Sequence, residues 1–455
     1  MTTETDAGAL RKRVRGWMMF DFASQPYNTL LLTFIFGPYF ATVVGDPVAA
    51  QSMWGFAIGF AGLAIALLAP VLGALADASG RHLGWIWFFS GLYILGAAAL
   101  WWAVPDADGV TLILVAFCLG LIGMEFATIF TNAMLPTLGP RDEIGRISGS
   151  GWALGYVGGV IALVIMLLLF AENASGVTLL GQPPLFGLDP ETREGTRFVG
   201  PFTAIWYAVF MIPFFLWVRP VRRAAVQGIP LGRALRALGD TLRRLPETPG
   251  FTAYLGASMF YRDALNGLYT FGGIYAVGVL GWSVIDVGVF GILAAVTGAI
   301  FAWIGGRLDR ARGPKPVIVG CVLALLLATV AVVTVSPTSV LGLPVAEGSS
   351  LPTTAFYVIG AVIGAAGGSL QASSRTMLVR QANPDRITEG FGLYALAGKA
   401  TAFLAPFLIG WVTLASGSQQ LGILPIAGLF IGGLILLLWV KPEGEAAWSA
   451  RPSSV

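Results

Sequence analysis

Histidine, cysteine and charged residues are all scarce in this chain of 455 residues. There is one histidine, His82, so a zinc or iron site built from histidines is not expected. The two cysteines, Cys118 and Cys321, lie far apart within apolar stretches and offer neither a disulfide framework nor a metal-binding spacing. Charged residues make up 11% of the chain, against about 25% in a soluble domain. These absences argue against a soluble enzyme, and no cofactor is expected.

The chain is rich in long hydrophobic runs, and hydrophobic residues make up 56% of it. They form twelve segments, each long enough to supply the about 20 residues with which a helix crosses a bilayer. Segments one to twelve lie near 17–45, 52–76, 83–104, 110–135, 147–171, 200–218, 250–280, 287–305, 316–336, 352–378, 389–415 and 419–440. The sequence therefore predicts an all-α membrane protein with twelve transmembrane helices.

Basic residues lie at the N-terminus and in alternate loops, above all in the central loop 219–249, whereas the remaining loops are mainly acidic. Under the positive-inside rule both termini are cytoplasmic. No cleavable signal is apparent, so segment one is expected to be retained. Arginine is much more frequent than lysine, and alanine and glycine are abundant. We therefore expect a multi-pass protein of a bacterial cytoplasmic (inner) membrane.

The central loop divides the chain into two halves with six segments each. The predicted parts are an N-terminal half, a cytoplasmic linker, a C-terminal half and a cytoplasmic tail, at 1–218, 219–249, 250–440 and 441–455. An internal repeat supports this division, because Gly73 and Asp77 follow segment two as Gly305 and Asp309 follow segment eight. Two six-helix halves around a site at mid-membrane are a recurrent architecture of secondary transporters.

A few ionisable residues lie inside the apolar segments. They are Asp21, Glu125, Arg262, Asp263, Arg375 and Lys399. Because such groups are costly in hydrocarbon, they usually face a bundle interior or a wet cavity. We therefore expect a central cavity lined by segments one, four, seven and ten, with segment eleven alongside.

Four of these residues lie near mid-depth: Glu125 is about 24 Å along segment four, Arg262 and Asp263 about 18 Å along segment seven, and Lys399 about 15 Å along segment eleven. Cations and carboxylates together suit a zwitterion such as an amino acid, whereas an anionic or amphiphilic solute fits less well. The predicted substrate-binding residues are Tyr27, Asn28, Glu125, Arg262, Asp263, Tyr394 and Lys399. Pairing among charges of different helices is an equally good explanation, since neighbours such as Arg262 and Asp263 cannot pair on one helix face.

The intramembrane acids are also candidates for proton coupling. A buried carboxylate is harder to ionise, which makes Glu125 or Asp263 a plausible proton carrier. Glu125 is preferred because Arg262 would hold the adjacent Asp263 ionised. Asp21 is a third candidate, although at about one turn into segment one it could equally reach the interface.

Several motifs resemble known transporters. The loop from Gly73 through Asp77 to Arg81 is similar to the signature of the major facilitator superfamily, with Ala78 and His82 as departures from it. Three further stretches resemble the vacuole-effluxer-like branch, whose fungal members export amino acids from the vacuole. They read Trp17-Met-Met-Phe-Asp21-Phe-Ala-Ser-Gln-Pro-Tyr27, Gly145-Arg-Ile-Ser-Gly149 and Phe391-Gly-Leu-Tyr394-Ala-Leu-Ala-Gly398-Lys399.

The resemblance implies a secondary active transporter that works by alternating access, with export as the direction. The intramembrane acids add protons as the expected coupling ion. The resemblance also implies a gating role for Gly73, Asp77 and Arg81. The internal repeat extends this role to Asp309. Arg375 is also assigned to the gate, although a contact with a lipid headgroup or with the substrate fits its position equally.

Other classes of protein are weighed against this interpretation. The longest loops are about 30 residues, too short for a typical soluble domain, so an enzyme is not expected. A polytopic sensor, or a channel without coupled transport, is the alternative. The expected partners are a small-molecule substrate, protons and membrane lipids, without nucleic acid, and we expect a monomer.

Overall fold

The computed structural model describes residues 2–79, 82–106, 108–134, 137–139, 141–218, 247–381, 393–394, 396–398 and 400–444, and these residues are mostly helical. The helices are α1 (Thr2–Pro26), α2 (Phe36–Val44), α3 (Pro47–Ser79), α4 (His82–Ala98), α5 (Val110–Ala133), α6 (Arg141–Leu169), α7 (Glu194–Arg197), α8 (Val199–Phe210), α9 (Ile212–Trp217), α10 (Pro249–Leu280), α11 (Val284–Arg312), α12 (Pro314–Thr334), α13 (Leu351–Gln381), α14 (Leu404–Ser416) and α15 (Gln419–Leu437). A π-helix covers Tyr27–Phe34, and short 3-10 helices cover Ala99–Trp102 and Leu185–Gly187.

Nine helices among the described residues are long and apolar enough to cross a membrane. A tenth is reached if Gly8–Phe34 and Phe36–Val44, which are bent by 44°, count as one span. Predicted segment seven corresponds to α10, which is not among the nine, and the described helix of segment eleven is the short α14. A polytopic helical membrane protein is thus confirmed, whereas the count of twelve stays a prediction.

One feature of the fold was not expected from the sequence. Between α12 and α13 the chain forms an antiparallel hairpin of two short strands, β1 (Ser339–Val340) and β2 (Leu343–Pro344). Its turn residues Leu341 and Gly342 have φ angles of 53° and 80°, as a two-residue hairpin turn requires. Strands this short have no periodicity that a sequence pattern could reveal.

The chain forms two compact units, and their limits do not follow the predicted halves. Unit 1 comprises Met1–Asp46, Leu67–Arg236 and Ser283–Gly288, and unit 2 comprises Pro47–Ala66, Ala237–Trp282 and Val289–Val455, in both cases with respect to their described residues. Helix α3 therefore contributes its first part to unit 2 and its last part to unit 1. The division into halves at the central loop stays a prediction.

Close backbone contacts hold unit 1 together. A Cβ atom on Gly96 of α4 would lie within 2.5 Å of the Ala116 carbonyl oxygen of α5, and one on Gly123 would lie 2.5 Å from the Tyr93 nitrogen. The two helices approach this closely only because these positions lack a side chain, which is a common device for packing helices in membranes. Burial of aromatic rings adds to the core of this unit, where the Tyr93 and Tyr207 rings stack at 3.9 Å between centroids.

A buried amide pair holds the start of α3 against α14 and α15 in unit 2. The Gln51 amide donates to Thr413 Oγ1 over 2.8 Å and to the Gln419 carbonyl over 3.1 Å, and Gln419 Nε2 donates to Gln51 Oε1 over 3.2 Å. Both glutamines are almost fully buried. Buried amides on apolar helices are tolerated when their polar atoms bond to one another, as they do here. Next to this pair, a Cβ on Gly55 would lie 2.6 Å from the Pro406 carbonyl oxygen, so α3 and α14 also meet backbone to backbone.

The loop between α6 and α7 contains a fully buried acid, Glu172. Its Oε1 lies 3.5 Å from Nε of Arg193, whose Nη1 donates to the Asn173 carbonyl over 3.0 Å. The carboxylate also lies against Gly195, in the first turn of α7, where a Cβ atom would collide with Oε2. Burial raises the pKa of Glu172 above its ordinary value of 4.5, and the nearby Arg193 opposes this shift without cancelling it.

This pKa shift predicts how stability should depend on pH. Because the folded protein holds the Glu172 proton more tightly than the unfolded chain does, the carboxyl contributes stability below its ordinary pKa of 4.5, and this contribution is lost as the pH rises through the higher folded pKa. The melting temperature of Glu172→Gln should therefore decline less than that of the wild type as the pH rises above 4.5. Tryptophan fluorescence of detergent-purified protein measures this, and Glu191→Gln, an exposed acid of the same loop, is the control. Parallel melting curves for Glu172→Gln and the wild type would contradict the assignment.

Candidate substrate pathway

Segment one changes its helical form where the predicted substrate residues begin. Helix α1 ends at Pro26, and the next eight residues, Tyr27–Phe34, form a π-helix. Such wide turns are rare and occur frequently at functional sites. A kink follows at Ile35, where φ is −120° and ψ is −68°. The apolar run itself contains no signal for this change apart from the proline.

The structure brings Tyr27, Asn28 and Glu125 to one stretch of unit 1. The Tyr27 hydroxyl donates to the Phe117 carbonyl over 2.6 Å and its ring is fully buried, so the polar atom of this residue is engaged in holding segment one on α5. Asn28 Nδ2 lies 3.9 Å from the sulfur of Met124, the residue that precedes Glu125. Asn28 and Glu125 are each partly exposed. Of the three, Tyr27 is the one that is fully buried in this structure.

Asp21 lies where α1 packs against α6. A Cβ on Gly151 would lie 2.7 Å from Asp21 Oδ2, and one on Gly155 would lie 3.2 Å from the Asp21 Cβ. The glycines of α6 therefore leave room for the carboxylate between the two helices. Its side chain is partly buried, and the proposed part in proton transfer stays a prediction.

Arg262 and Tyr394 lie together in unit 2. The Arg262 guanidinium lies 4.2 Å from the centroid of the Tyr394 ring, and its Nη1 donates to the Tyr394 carbonyl over 3.1 Å. A Cβ on Gly398 would lie 2.7 Å from Nη1, so the cation rests against bare backbone. A planar guanidinium held over an aromatic ring keeps N–H groups in a fixed geometry suited to a carboxylate.

The Asp263 side chain contacts segment eleven at a different place from Arg262. Its Oδ2 accepts a hydrogen bond from the Ala405 backbone N–H over 2.9 Å, at the start of α14. The residue is 2% exposed, and its other oxygen, Oδ1, has no hydrogen-bond partner within the described residues. No ion pair or hydrogen bond joins Arg262 to Asp263 in this part of the chain. The preference for Glu125 as proton carrier stays a prediction.

Two tyrosines and a serine that are not among the predicted site residues form a network of contacts beside Tyr394. The Tyr254 ring is parallel to that of Tyr394, with 6.1 Å between the centroids, and its hydroxyl donates to the Ser374 carbonyl. The Tyr261 hydroxyl and Ser374 Oγ lie 2.8 Å apart. The seven-residue spacing of Tyr254 and Tyr261, which places them on one helix face, was the signal available in the sequence.

The structure describes only some of the predicted gate residues. Gly73 and Asp77 fall on the last turns of α3, where only the helical backbone is described, and Arg81 lies outside the described residues, as does Lys399. Asp309 is buried and its Oδ1 accepts a hydrogen bond from Ser373 Oγ over 2.7 Å. This bond joins α11 to α13, the helix that also carries the exposed Arg375.

A cavity of about 380 Å³ lies elsewhere in unit 2, beside the Gln51–Gln419 pair. It is lined by Val48, Gly278, Val279, Ser336, Gly417, Ser418, Gln419 and Gln420. None of the predicted substrate-binding residues is among them. The predicted central cavity therefore stays a prediction.

The apolar helices with ionisable side chains inside them define a class of protein, the polytopic helical membrane proteins. Solved structures of that class resemble this chain along nearly its whole length. A D-xylose-proton symporter aligns with a TM-score of 0.68 at 13% identity, covering 95% of this chain and 98% of its own. The nucleoside transporter NupG aligns with a TM-score of 0.63 at 12% identity, covering 93% of this chain and 98% of its own. At such low identity these similarities establish the fold alone.

The family follows from the sequence comparison. The family model described as "Vacuole effluxer Atg22 like" matches residues 37–446, so the chain belongs to this family and is a membrane transporter, not an enzyme. The MFS-type transporter YxiO of Bacillus subtilis (strain 168) is 24% identical over 440 residues, which are 95% of each chain. Autophagy-related protein 22-1 of Penicillium rubens is 24% identical over 340 residues, 68% of this chain and 54% of its own length. The chain thus spans about half the length of this fungal relative.

Proposed function

We propose that the protein exports a small zwitterionic solute, of the amino acid type, across a bacterial cytoplasmic membrane by alternating access coupled to protons. The observation that carries this proposal is the pair of neighbouring, opposite charges near the middle of α10. Arg262 presents a guanidinium over an aromatic ring and Asp263 presents a buried carboxylate. A charged group at such a depth is retained chiefly where it has a function.

The two charges match the two ends of an amino acid. A guanidinium binds a carboxylate with charge-assisted hydrogen bonds, and a carboxylate does the same for an ammonium group. Tyr27, Asn28, Glu125, Tyr394 and Lys399 complete the proposed binding residues. The description of the family as vacuole effluxers supports export of solute from a compartment, and the proton coupling named for the xylose symporter supports the coupling ion.

The proposed architecture has two six-helix halves, 1–218 and 250–440, with both termini in the cytoplasm and a single chain as the working unit. Gly73, Asp77 and Arg81 in the first half, with Asp309 and Arg375 in the second, are proposed to form the cytoplasmic gate. The Asp309–Ser373 hydrogen bond supports this by fixing the position of the Asp309 carboxylate within the second half.

Two experiments test the function. Purified protein is screened against amino acids, sugars, nucleosides and organic acids for a rise in melting temperature, because a ligand that binds the folded state stabilises it. The stabilising compound is then offered in radiolabelled form to proteoliposomes. Accumulation against its gradient when a pH gradient is imposed supports coupled transport, whereas equilibration alone indicates a channel. Stabilisation by sugars or nucleosides and not by amino acids would overturn the proposed substrate class.

Neutralising the coupling acid is expected to abolish accumulation driven by a pH gradient while leaving exchange of substrate measurable. We expect this phenotype from one of two variants, Glu125→Gln or Asp263→Asn, because a carrier must gain and lose a proton in each cycle. Ser258→Ala is the control, since among the described residues its buried hydroxyl bonds only to the Leu255 carbonyl of its own helix. If both variants keep gradient-driven accumulation, neither acid couples protons to transport.

A further inference from the structure

Segment eleven is interrupted in its middle. Its described residues are helical at 393–394, 396–398 and 400, a turn follows at Thr401–Phe403, and α14 begins at Leu404. Pro406 explains the position of the new start. A proline in a helix interior removes a hydrogen bond and collides with the carbonyl four residues before it, whereas in the first turn it is tolerated.

Asp263 holds the α14 side of this interruption. The first N–H groups of a helix have no partner within the helix, and they carry partial positive charge. The Leu404 N–H bonds to the Thr401 carbonyl over 2.8 Å, and the Ala405 N–H donates to Asp263 Oδ2 over 2.9 Å. The carboxylate of a different segment thus caps α14.

Arg262 contacts segment eleven on the N-terminal side of the interruption. Its guanidinium bonds to the Tyr394 carbonyl and lies over the Tyr394 ring, and it approaches the backbone at Gly398 as closely as a residue without Cβ permits. Consecutive side chains on a helix point about 100° apart. For this reason two neighbours on α10 can contact segment eleven on the two sides of its interruption, the cation against carbonyl oxygen and the anion against N–H.

We propose that Arg262 and Asp263 form a clasp on the interruption of segment eleven, and that a proton bound at Asp263 Oδ1 loosens the α14 side of this clasp. The assignment rests on the proposed proton coupling and identifies its acid. On protonation an O–H bond of hydronium breaks as the Oδ1–H bond forms, which leaves a water molecule, and on release the Oδ1–H bond breaks as the proton returns to water. Protonation leaves Oδ2 as a neutral oxygen, so its bond to the Ala405 N–H is no longer charge-assisted and drops to roughly half its strength.

One observation favours proton binding at this oxygen. Oδ1 has no hydrogen-bond partner in the described part of the chain although Asp263 is only 2% exposed, so an ionised carboxylate is incompletely satisfied there.

The charged surroundings of Asp263 are sparse. Helix α10 packs against α12, α13, α14 and α15. Helices α14 and α15 contain no ionisable side chain. The ionisable residues of the other two helices and of α10 itself are Lys315, Cys321, Tyr357, Arg375, Arg380, Tyr254, Tyr261, Arg262, Tyr269 and Tyr275. Of the cations, Arg262 contacts Tyr394, Lys315 donates to the Val440 carbonyl and Arg380 pairs with Glu443. Tyr394 and Lys399 are the ionisable residues of segment eleven between 393 and 403, and Lys399 lies outside the described residues.

Hydrogen–deuterium exchange of the purified full chain, with mass spectrometry and correction for intrinsic exchange rates, tests the clasp. In the wild type, exchange of the peptide that contains Ala405 should rise roughly fivefold as the pH falls from about 8 to 5, because the cap weakens on protonation. Asp263→Asn should abolish this pH response, since an amide oxygen still accepts the Ala405 N–H but takes no proton. In Asp263→Ala the same peptide should exchange, at every pH tested, roughly tenfold faster than the wild-type peptide exchanges at pH 8.

Ser258→Ala should behave as the wild type in this peptide. A wild-type peptide whose exchange is independent of pH, or an Asp263→Asn variant with the wild-type response, would overturn the proposal. If Asp263→Ala does not fold, the comparison of the wild type with Asp263→Asn decides alone. Exchange is measured without substrate or gradient, so the clasp can hold in a protein that fails the transport assay, and the two failures are distinguishable.

Discussion

Alanine at position 399 is expected to weaken substrate binding about thirtyfold, which corresponds to about 2 kcal/mol. Lys399 is the only lysine inside the predicted segments and lies near mid-depth in segment eleven. An ammonium group there must have an anionic partner, and a substrate carboxylate is the partner that we propose. The helical residues on either side of it, Gly398 and Ala400, lie between the Arg262 contact and the interruption of segment eleven.

The measurement is the dissociation constant of the compound found by the stability screen, determined for Lys399→Ala together with its melting temperature. Lys441→Ala, which removes a lysine beyond the last predicted segment, is the control. Native affinity with a lowered melting temperature would mean that Lys399 only fastens segment eleven to its neighbours, and would remove it from the site.

A single methyl group at position 96 is expected to lower the stability of the protein by about 2–3 kcal/mol. In Gly96→Ala the new carbon would lie within 2.5 Å of the Ala116 carbonyl oxygen, a backbone atom of α5 that cannot turn away. The helices α4 and α5 must then separate along their whole line of contact, which also pulls Gly123 away from Tyr93.

Gly91→Ala is the matched control, because a Cβ atom at this position of the same helix would have nothing within 4 Å. Alanine forms helix better than glycine by about 1 kcal/mol in soluble peptides, so this variant should be neutral or slightly stabilising. Thermal unfolding followed by tryptophan fluorescence compares the two variants with the wild type. Equal melting temperatures for Gly96→Ala and Gly91→Ala would show that α4 and α5 are less closely packed than the structure indicates.

The candidate site could be predicted from the sequence as a set of residues but not as a set of contacts. Ionisable side chains within apolar segments are conspicuous, and so Glu125, Arg262, Asp263 and Lys399 were all predicted as candidates. What each one touches depends on how its helix is rotated about its axis, and that rotation is decided by the neighbouring helices. Tyr27 illustrates the difference, since its hydroxyl is bonded to the Phe117 carbonyl within the core.

The sequence also predicted that Arg262 and Asp263 could not pair with each other and that each needs a partner from another helix. The structure supplies both partners from segment eleven, at Tyr394 and Ala405. Neither is a charged side chain: one is a backbone carbonyl with its ring and the other a backbone N–H. Backbone partners carry no sequence signal, so they could not have been found without coordinates.

By itself, the amino-acid sequence determined that this protein lies in a membrane, that it is a transporter of the vacuole-effluxer-like family, and which segments carry charge into the bilayer. Composition and spacing suffice for the membrane location and the charged segments, because the bilayer imposes a minimum helix length and a penalty on charge at every position. The family follows from the resemblance of particular motifs instead. Only the tertiary structure decided that segment one becomes a π-helix after Pro26, that segment eleven restarts at Leu404, and that Asp263 caps the new helix. These features depend on the distance and angle between helices, which close packing of many side chains determines together and no single stretch of sequence records.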